Sequence, residues 1–214
     1  MKVKISIPTS LKDIKLSQYQ KFVRTTKDSE DDNFVARQMV GIFCDLSDDV
    51  VGNIKAKDYN DIVKSITEVL NQTPQLVTRF KSKGIEYGFI PDLEDITLDE
   101  KADIDNYMKD VATWNKAMGV LYRPIKLKQG DTYLIEDYDG KGQYLDVTLD
   151  VAFGANVFFF NLMSDLLNCT LNFIEDQVAH NDKLSQILEQ SGVGINQSMH
   201  YLREISSNLT KWAN

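Results

Sequence analysis

The sequence predicts a mostly helical α+β fold with two short β-hairpins, an N-terminal strand and a long buried central helix. Three observations support this prediction. Apolar residues recur at helical spacing through most of the chain, two stretches alternate around glycine-containing turns, and residues 151–179 form the most apolar stretch. The 214 residues are 43% hydrophobic and include only eleven glycines and four prolines, so the chain can bury a core of one or two domains.

The N-terminal segment, residues 1–27, predicts a strand followed by a short helix. Residues 1–8 alternate and end in proline, which is typical of a strand, and they lack the apolar run of a secretory signal. Ser17 is a good N-cap for the helix that follows. The segment has seven lysines and arginines against one aspartate, whereas residues 28–32 form an acidic linker. Charge is therefore segregated along the chain.

Further helices are predicted from apolar spacing and from one capping signal. Residues 33–46 and 57–71 each place apolar side chains on one helical face. Thr97 and Glu100 have the spacing of a capping box, which predicts a helix start at this point. A second helix, or the same helix kinked, then continues until Arg123-Pro124 stops it.

Two hairpins are predicted from period-two alternation around turn signals. The first occupies residues 75–90 and turns at Ser82-Lys83-Gly84. The second pairs residues 132–135 with residues 143–148 around the sequence Asp139-Gly140-Lys141-Gly142.

The apolar segment, residues 151–179, predicts a helix with two apolar faces, and therefore a helix packed on both sides. A membrane span is the alternative, because Asp165 is the single charge between residues 151 and 174. Four asparagines and this aspartate would then lie in hydrocarbon, so the buried helix is favoured. A helix exposed transiently on membrane contact is a third possibility.

The predicted organisation is residues 1–150, a helical cluster with two hairpins, and residues 151–214, the apolar helix and a C-terminal amphipathic helix. The two parts are expected to form one compact unit. The C-terminal helix has a narrow apolar seam typical of a helix that docks on a partner, with packing on its own domain as the alternative. The predicted docking residues are Ile195, Met199, Leu202, Leu209 and Trp212.

No residue pattern predicts catalysis, a metal site or a cofactor. His180 and His200 are the two histidines, and neither has a His or Cys at i+3 or i+4. No G-x-S-x-G elbow or complete phosphate loop is present, and a calcium-loop alignment puts Ile135 at the first ligand position. Cys44 and Cys169 have apolar neighbours, so both are interpreted as core side chains of a reduced protein, with a disulfide or a reactive thiol as alternatives.

The overall charge restricts the partners. With 24 basic against 32 acidic residues the net charge is -8, which disfavours nucleic acid as the main partner. The acidic residues 92–105 are expected to be a solvated face or to dock on a basic surface. The basic residues 1–27 are expected to contact an acidic neighbour or this chain's own acidic segment, with DNA as the less favoured partner.

Three segments together resemble a family of small proteins of tailed bacteriophages, with the crass-like phages of gut Bacteroidales as the nearest group. The segments are residues 7–22 (IPTSLKDIKLSQYQKF), 87–96 (YGFIPDLEDI) and 118–125 (MGVLYRPI). The resemblance covers about residues 5–125 and brings no catalytic residue with it. It implies a component of the virion or of its assembly, such as a cargo protein packaged in the capsid or tail and ejected with the genome.

Three functions are compared on this basis. A non-enzymatic virion protein, either packaged cargo or a structural component at the capsid, portal or tail, fits the acidic body and the docking helix. Its partners are portal or tail components or a second copy, and it is made in the bacterial host cytoplasm. A head or tail assembly chaperone, absent from the mature particle, has the same composition. A small hydrolase fits least, because it needs clustered titratable groups in a pocket.

Overall fold

The computed structural model describes residues 5–140 and 144–179, and it confirms a mostly helical α+β fold. The helices are α1 (Leu16–Thr26), α2 (Asp32–Phe43), α3 (Asp48–Gly52), α4 (Ala56–Leu70), α5 (Leu98–Tyr107), α6 (Trp114–Leu121) and α7 (Leu149–Ala179). The strands are β1 (Arg79–Ser82), β2 (Ile85–Phe89), β3 (Tyr122–Gln129) and β4 (Thr132–Ile135). Single 3-10 turns occupy Leu11–Asp13 and Val111–Thr113.

The helices α1, α2 and α4 pack together because each presents an apolar stripe. The α4 stripe buries Ile62, Ile66 and Val69, and the rings of Phe22 in α1 and Phe43 in α2 lie 5.2 Å apart. The predicted helices at residues 33–46 and 57–71 are confirmed as α2 and α4.

The four strands form one antiparallel sheet in the order β1-β2-β3-β4. The first predicted hairpin is confirmed, since β1 pairs with β2 around Lys83 and Gly84. Both turn residues have positive φ, 49° and 82°, as a two-residue hairpin turn requires.

The prediction for the second hairpin is wrong about which segment pairs with β4. β4 pairs with β3, which precedes it, and not with residues 143–148. The turn lies at Gly130-Asp131, where Gly130 has φ 62°. The chain does leave α6 just before Arg123-Pro124, but it continues directly as a strand because Tyr122 is buried against Phe80 and Phe89.

The predicted N-terminal strand is also corrected. Residues 5–9 are irregular, and residues 1–4 lie outside the described residues. A turn follows at once, because the Asp13 carboxylate accepts hydrogen bonds from the amides of Thr9 and Ser10, at 2.9 and 3.0 Å. Beyond this turn, within the described residues, Lys15 forms an isolated antiparallel bridge with Thr148.

A tyrosine ring crosses the centre of the sheet. Tyr133 on β4 extends past β3 to β2, where its hydroxyl donates a 2.8 Å hydrogen bond to the carbonyl of Phe89. The ring covers Gly88 so closely that a β-carbon at that position would overlap it. Position 88 therefore has no room for a side chain, and Tyr133 connects the hairpin β3-β4 to the hairpin β1-β2.

The apolar helix α7 is confirmed as a helix, and its first turns are buried, including Val151 and Ala152. Further along, Ser164 is also buried, whereas Asp165, Cys169 and Phe173 are exposed. The interpretation of Cys169 as a core side chain is wrong, whereas that of Cys44 is confirmed. Among the described residues, no helix is long and apolar enough to cross a membrane.

The chain divides into two units, Met1–Gly154 and Ala155–Asn214. The first unit contains the sheet, α1 to α6 and the start of α7. The described part of the second unit is the helical stretch of residues 155–179, in which the rings of Phe158 and Phe159 lie 5.4 Å apart.

Candidate interaction surfaces

A groove of about 520 Å³ lies in the first unit, beside α1. Its basic wall comes from Lys21, Arg24 and Lys27, which recur every three residues and therefore share one helical face. Each of these side chains is exposed. We call this surface the basic groove.

Polar contacts at the N-terminal half of α1 fix the position of the basic groove. The Ser17 amide and hydroxyl each donate a 3.0 Å hydrogen bond to the Asp146 carboxylate. Ser17 was predicted to be an N-cap; α1 instead begins at Leu16, and Ser17 connects the helix to a distant segment. The Gln20 side-chain amide donates to the carbonyl of Val111, at 2.7 Å, and so connects α1 to the opposite wall.

The floor and far wall of the basic groove combine apolar and polar groups. Val23, Ala112 and Tyr144 supply apolar surface, and Tyr144 is 63% exposed. Asp110 also lines the groove, where its carboxylate accepts a 2.9 Å hydrogen bond from the Ala112 amide. Three cations and one carboxylate therefore leave the groove with a net positive charge.

The cations of the basic groove have no acidic partner among the described residues. Within residues 5–140 and 144–179, every ion pair uses a lysine or arginine from Arg37 onward. The basic side chains of residues 5–27 are thus not paired within the described part of the chain. A surface with unpaired cations around a concave apolar floor can bind an acidic segment.

A second charged surface, the acidic loop, comprises residues 91–99. It carries Asp92, Glu94, Asp95 and Asp99 and has no basic residue. These four carboxylates form no ion pair with any described residue. Leu98, the first residue of α5, lies between Asp95 and Asp99 in the sequence and is 81% exposed.

The acidic loop is anchored by the predicted capping box, which the structure confirms. The Thr97 hydroxyl accepts a hydrogen bond from the Glu100 amide at 3.2 Å, and the Glu100 carboxylate accepts one from the Thr97 amide at 2.7 Å. Arg123 of β3 then reaches the second carboxylate oxygen, with Nη2 at 2.7 Å from Glu100 Oε1. Glu100 is only 4% exposed, so this is a buried ion pair.

Opposing effects act on the pKa of Glu100. Burial raises it, while the hydrogen bonds from Thr97 and the positive charge of Arg123 lower it. The net result is a pKa below the usual value for glutamate, so the carboxylate stays ionised at neutral pH. The pair therefore fixes the start of α5 to the sheet as a charged contact.

A crevice of about 560 Å³ adjoins this ion pair and is lined mainly by acidic side chains. Lys126 pairs with one of them, Asp137, at 2.8 Å, and the Tyr138 hydroxyl donates a hydrogen bond to Asp103. Among the described residues, no group of three or more histidine, cysteine or acidic side chains is arranged to hold a metal ion. Of the carboxylates that line this crevice, Glu100 and Asp137 have cationic partners within the chain.

Several residues predicted from sequence lie outside the described residues. These are the seam residues Ile195, Met199, Leu202, Leu209 and Trp212 and both histidines, His180 and His200. Their docking role stays a prediction. Cys44 lies in the core, where burial raises the pKa of its thiol, so it stays protonated.

The three segments of the phage resemblance contribute to the core of the first unit. The second and third segments pair through β2 and β3, with Phe89 opposite Tyr122 and Gly88 opposite Arg123. The first segment contributes the buried Leu11, Ile14 and Leu16 and then continues into α1. The first segment also reaches the basic groove at Lys21, and the second includes most of the acidic loop.

Sequence reasoning found the charge of both surfaces but missed their geometry. The three-residue spacing of Lys21, Arg24 and Lys27 is a signal that could have defined one basic face. No local signal connects Arg123 to Glu100, which lies 23 positions earlier in the chain. In comparisons with known proteins, no family model, no curated protein and no solved structure matches this chain.

Proposed function

We propose that this chain is a non-enzymatic bacteriophage virion protein. In this role it is packaged cargo or a structural component associated with the capsid, portal or tail, and the cargo form is ejected with the genome. It is made in the bacterial host cytoplasm and resides in the virion. The phage resemblance of residues 7–22, 87–96 and 118–125 supports the assignment to a virion.

The unpaired basic groove is the observation that carries the binding role. Lys21, Arg24 and Lys27 line one wall of a concave surface without acidic partners among the described residues. In contrast, the buried charges Glu100 and Arg123 neutralise each other, and the Glu100 carboxylate also accepts a hydrogen bond from the Thr97 amide. The surface charges are unpaired and the interior charges are paired. This distribution is more typical of a protein that binds other proteins than of one that performs acid-base catalysis.

Protein neighbours are the preferred partners. The net charge of -8 opposes spreading over packaged DNA, whose phosphates would repel most of the surface. Portal or tail components, or other copies of the chain, can present acidic segments to the basic groove. The C-terminal seam is a second predicted docking surface on the same chain.

Gradient-purified particles provide the test. Mass spectrometry is expected to find the chain at a fixed stoichiometry relative to the portal protein. Digestion of the DNA in opened particles is expected to leave the chain associated with the particle, because protein contacts retain it. Detection only in infected-cell lysate would exclude the virion role and favour an assembly chaperone. Release of the chain together with the DNA would show that nucleic acid holds it.

A further inference from the structure

We infer that this chain associates head to tail with further copies of itself, the acidic loop of one copy occupying the basic groove of the next. The inference specifies a self-contact and requires no virion component. It is therefore testable with purified protein, and its failure would leave the virion assignment standing.

Charge complementarity is the first argument. The acidic loop has four carboxylates, those of Asp92, Glu94, Asp95 and Asp99, and none forms an ion pair within the described residues. The basic groove has three cations, which also form no ion pair within the described residues, and one carboxylate, that of Asp110. Bringing the two surfaces together neutralises charges that each copy leaves exposed, and it orients the encounter.

The apolar groups of the two surfaces also match. Leu98 is 81% exposed at the start of α5, next to Asp99 in the sequence. The basic groove has apolar surface from Val23, Ala112 and Tyr144, bordered on the α1 side by the three cations. An apolar side chain beside carboxylates thus meets an apolar floor beside cations, the arrangement typical of a specific contact.

The acidic loop of a copy does not reach the basic groove of the same copy. Residues 91–97 precede α5, Leu98 and Asp99 begin it, and the groove residues Asp110 and Ala112 follow it, so the length of the ten-residue helix, about 15 Å, separates the two surfaces. The buried Glu100–Arg123 pair also fixes the loop to the sheet. The acidic loop that occupies a groove therefore belongs to another molecule. Because the two surfaces differ, the contact is heterologous and continues into a ring or an open chain.

Sedimentation velocity of the full chain tests this inference. We expect the average mass to rise with protein concentration, since a contact made by one short loop is small and reversible. Raising the salt concentration from about 0.05 M to about 0.5 M should return the chain toward monomer, because added salt shortens the range of charge attraction.

Charge-reversal variants identify the two surfaces. The groove variant carries Lys21→Glu, Arg24→Glu and Lys27→Glu, and the loop variant carries Glu94→Lys, Asp95→Lys and Asp99→Lys. Each variant alone should associate at least about tenfold more weakly than the natural chain, because like charges then face each other. Mixing the two variants should restore association, because each reversed surface then meets its opposite.

Two controls separate this contact from general charge effects and from the C-terminal seam. The variant with Lys55→Glu, Lys57→Glu and Lys64→Glu changes the net charge as much as the groove variant, but at the N-cap and on the surface of α4, and should associate like the natural chain. Circular dichroism should show the same helix content for all variants. Association through the seam would be insensitive to both reversals and would not show rescue on mixing.

Other outcomes overturn the inference. A chain that stays monomeric at its highest soluble concentration has no such contact. Association without rescue on mixing would place the interface elsewhere. Binding to DNA is measured by fluorescence anisotropy with a labelled duplex. The contrary result would be a natural chain that is monomeric and binds the duplex, together with a groove variant that does not bind it. That result would make the groove a nucleic-acid site.

Discussion

The Glu100–Arg123 pair and the basic groove are both charged, yet they differ in burial and pairing. Glu100 is 4% exposed, and its carboxylate is bound by Arg123 and by Thr97. Lys21, Arg24 and Lys27 extend into solvent without an ion pair among the described residues. The paired charges therefore stabilise the fold, while the unpaired charges remain available to a partner. Substitutions at the two sites should therefore have separate effects on stability and on binding.

The largest effect is expected from Arg123→Ala. The substitution leaves the Glu100 carboxylate buried without its counter-charge, so the free energy of unfolding should fall by about 3 kcal/mol. Urea denaturation followed by circular dichroism measures it. The matched control is Arg37→Ala, which removes a cation from the exposed pair with Asp48 and should cost much less stability, because solvent screens that pair. Equal losses in the two variants would contradict the structural role given to the buried pair.

A smaller effect is expected in the pH dependence of stability. Because the pKa of Glu100 is lowered in the folded state, its contribution is present above the unfolded-state pKa of about 4.3 and is lost as the pH falls through the folded-state value. The natural chain should therefore be more stable than Glu100→Gln at pH 7, by about 1 kcal/mol or more.

Denaturant midpoints measured from about pH 7 to about pH 3 provide the comparison. The difference between the natural chain and Glu100→Gln should shrink toward low pH. Other carboxylates with lowered pKa values, including Asp13 and Asp48, are present in both proteins and cancel in this difference. A difference independent of pH would show that Glu100 contributes by packing rather than by charge.

The smallest effect on stability is expected in the basic groove. Replacing Lys21, Arg24 and Lys27 together by glutamine should change the free energy of unfolding by less than about 0.5 kcal/mol per site, because none of these cations has an acidic partner among the described residues. The same urea denaturation measures this change. A loss comparable to that of Arg123→Ala would show that the groove serves the fold and would end the distinction between the two regions.

The sequence allows prediction of local structure better than of contacts between distant residues. The capping box of Thr97 and Glu100 was found because its two members lie three residues apart, which fixes their geometry within one helical turn. The hairpin at Lys83-Gly84 was found for the same reason, since both turn residues are adjacent. Both elements depend on residues close together in the chain, but the same kind of turn signal at Asp139-Gly140-Lys141-Gly142 predicted a pairing that β4 does not make.

Contacts between distant residues could not be predicted in this way. β3 was missed because Arg123-Pro124 resembles a helix stop, and only burial of Tyr122 against Phe80 and Phe89 makes the following residues a strand. The basic excess of residues 1–27 was visible as a count, but the opposite wall of the groove comes from residues 110–115 and 144. Tertiary packing decides both features, and a single sequence contains no spacing signal for it.

The close contact between Tyr133 and Gly88 restricts how this sequence can evolve. A side chain at position 88 needs the space that the Tyr133 ring fills, so neither position can change alone without loss of packing. The two positions are therefore expected to vary together. Descendants of the same ancestral chain that carry a side chain at position 88 should carry a smaller residue at position 133, and they should join the two hairpins by a different contact.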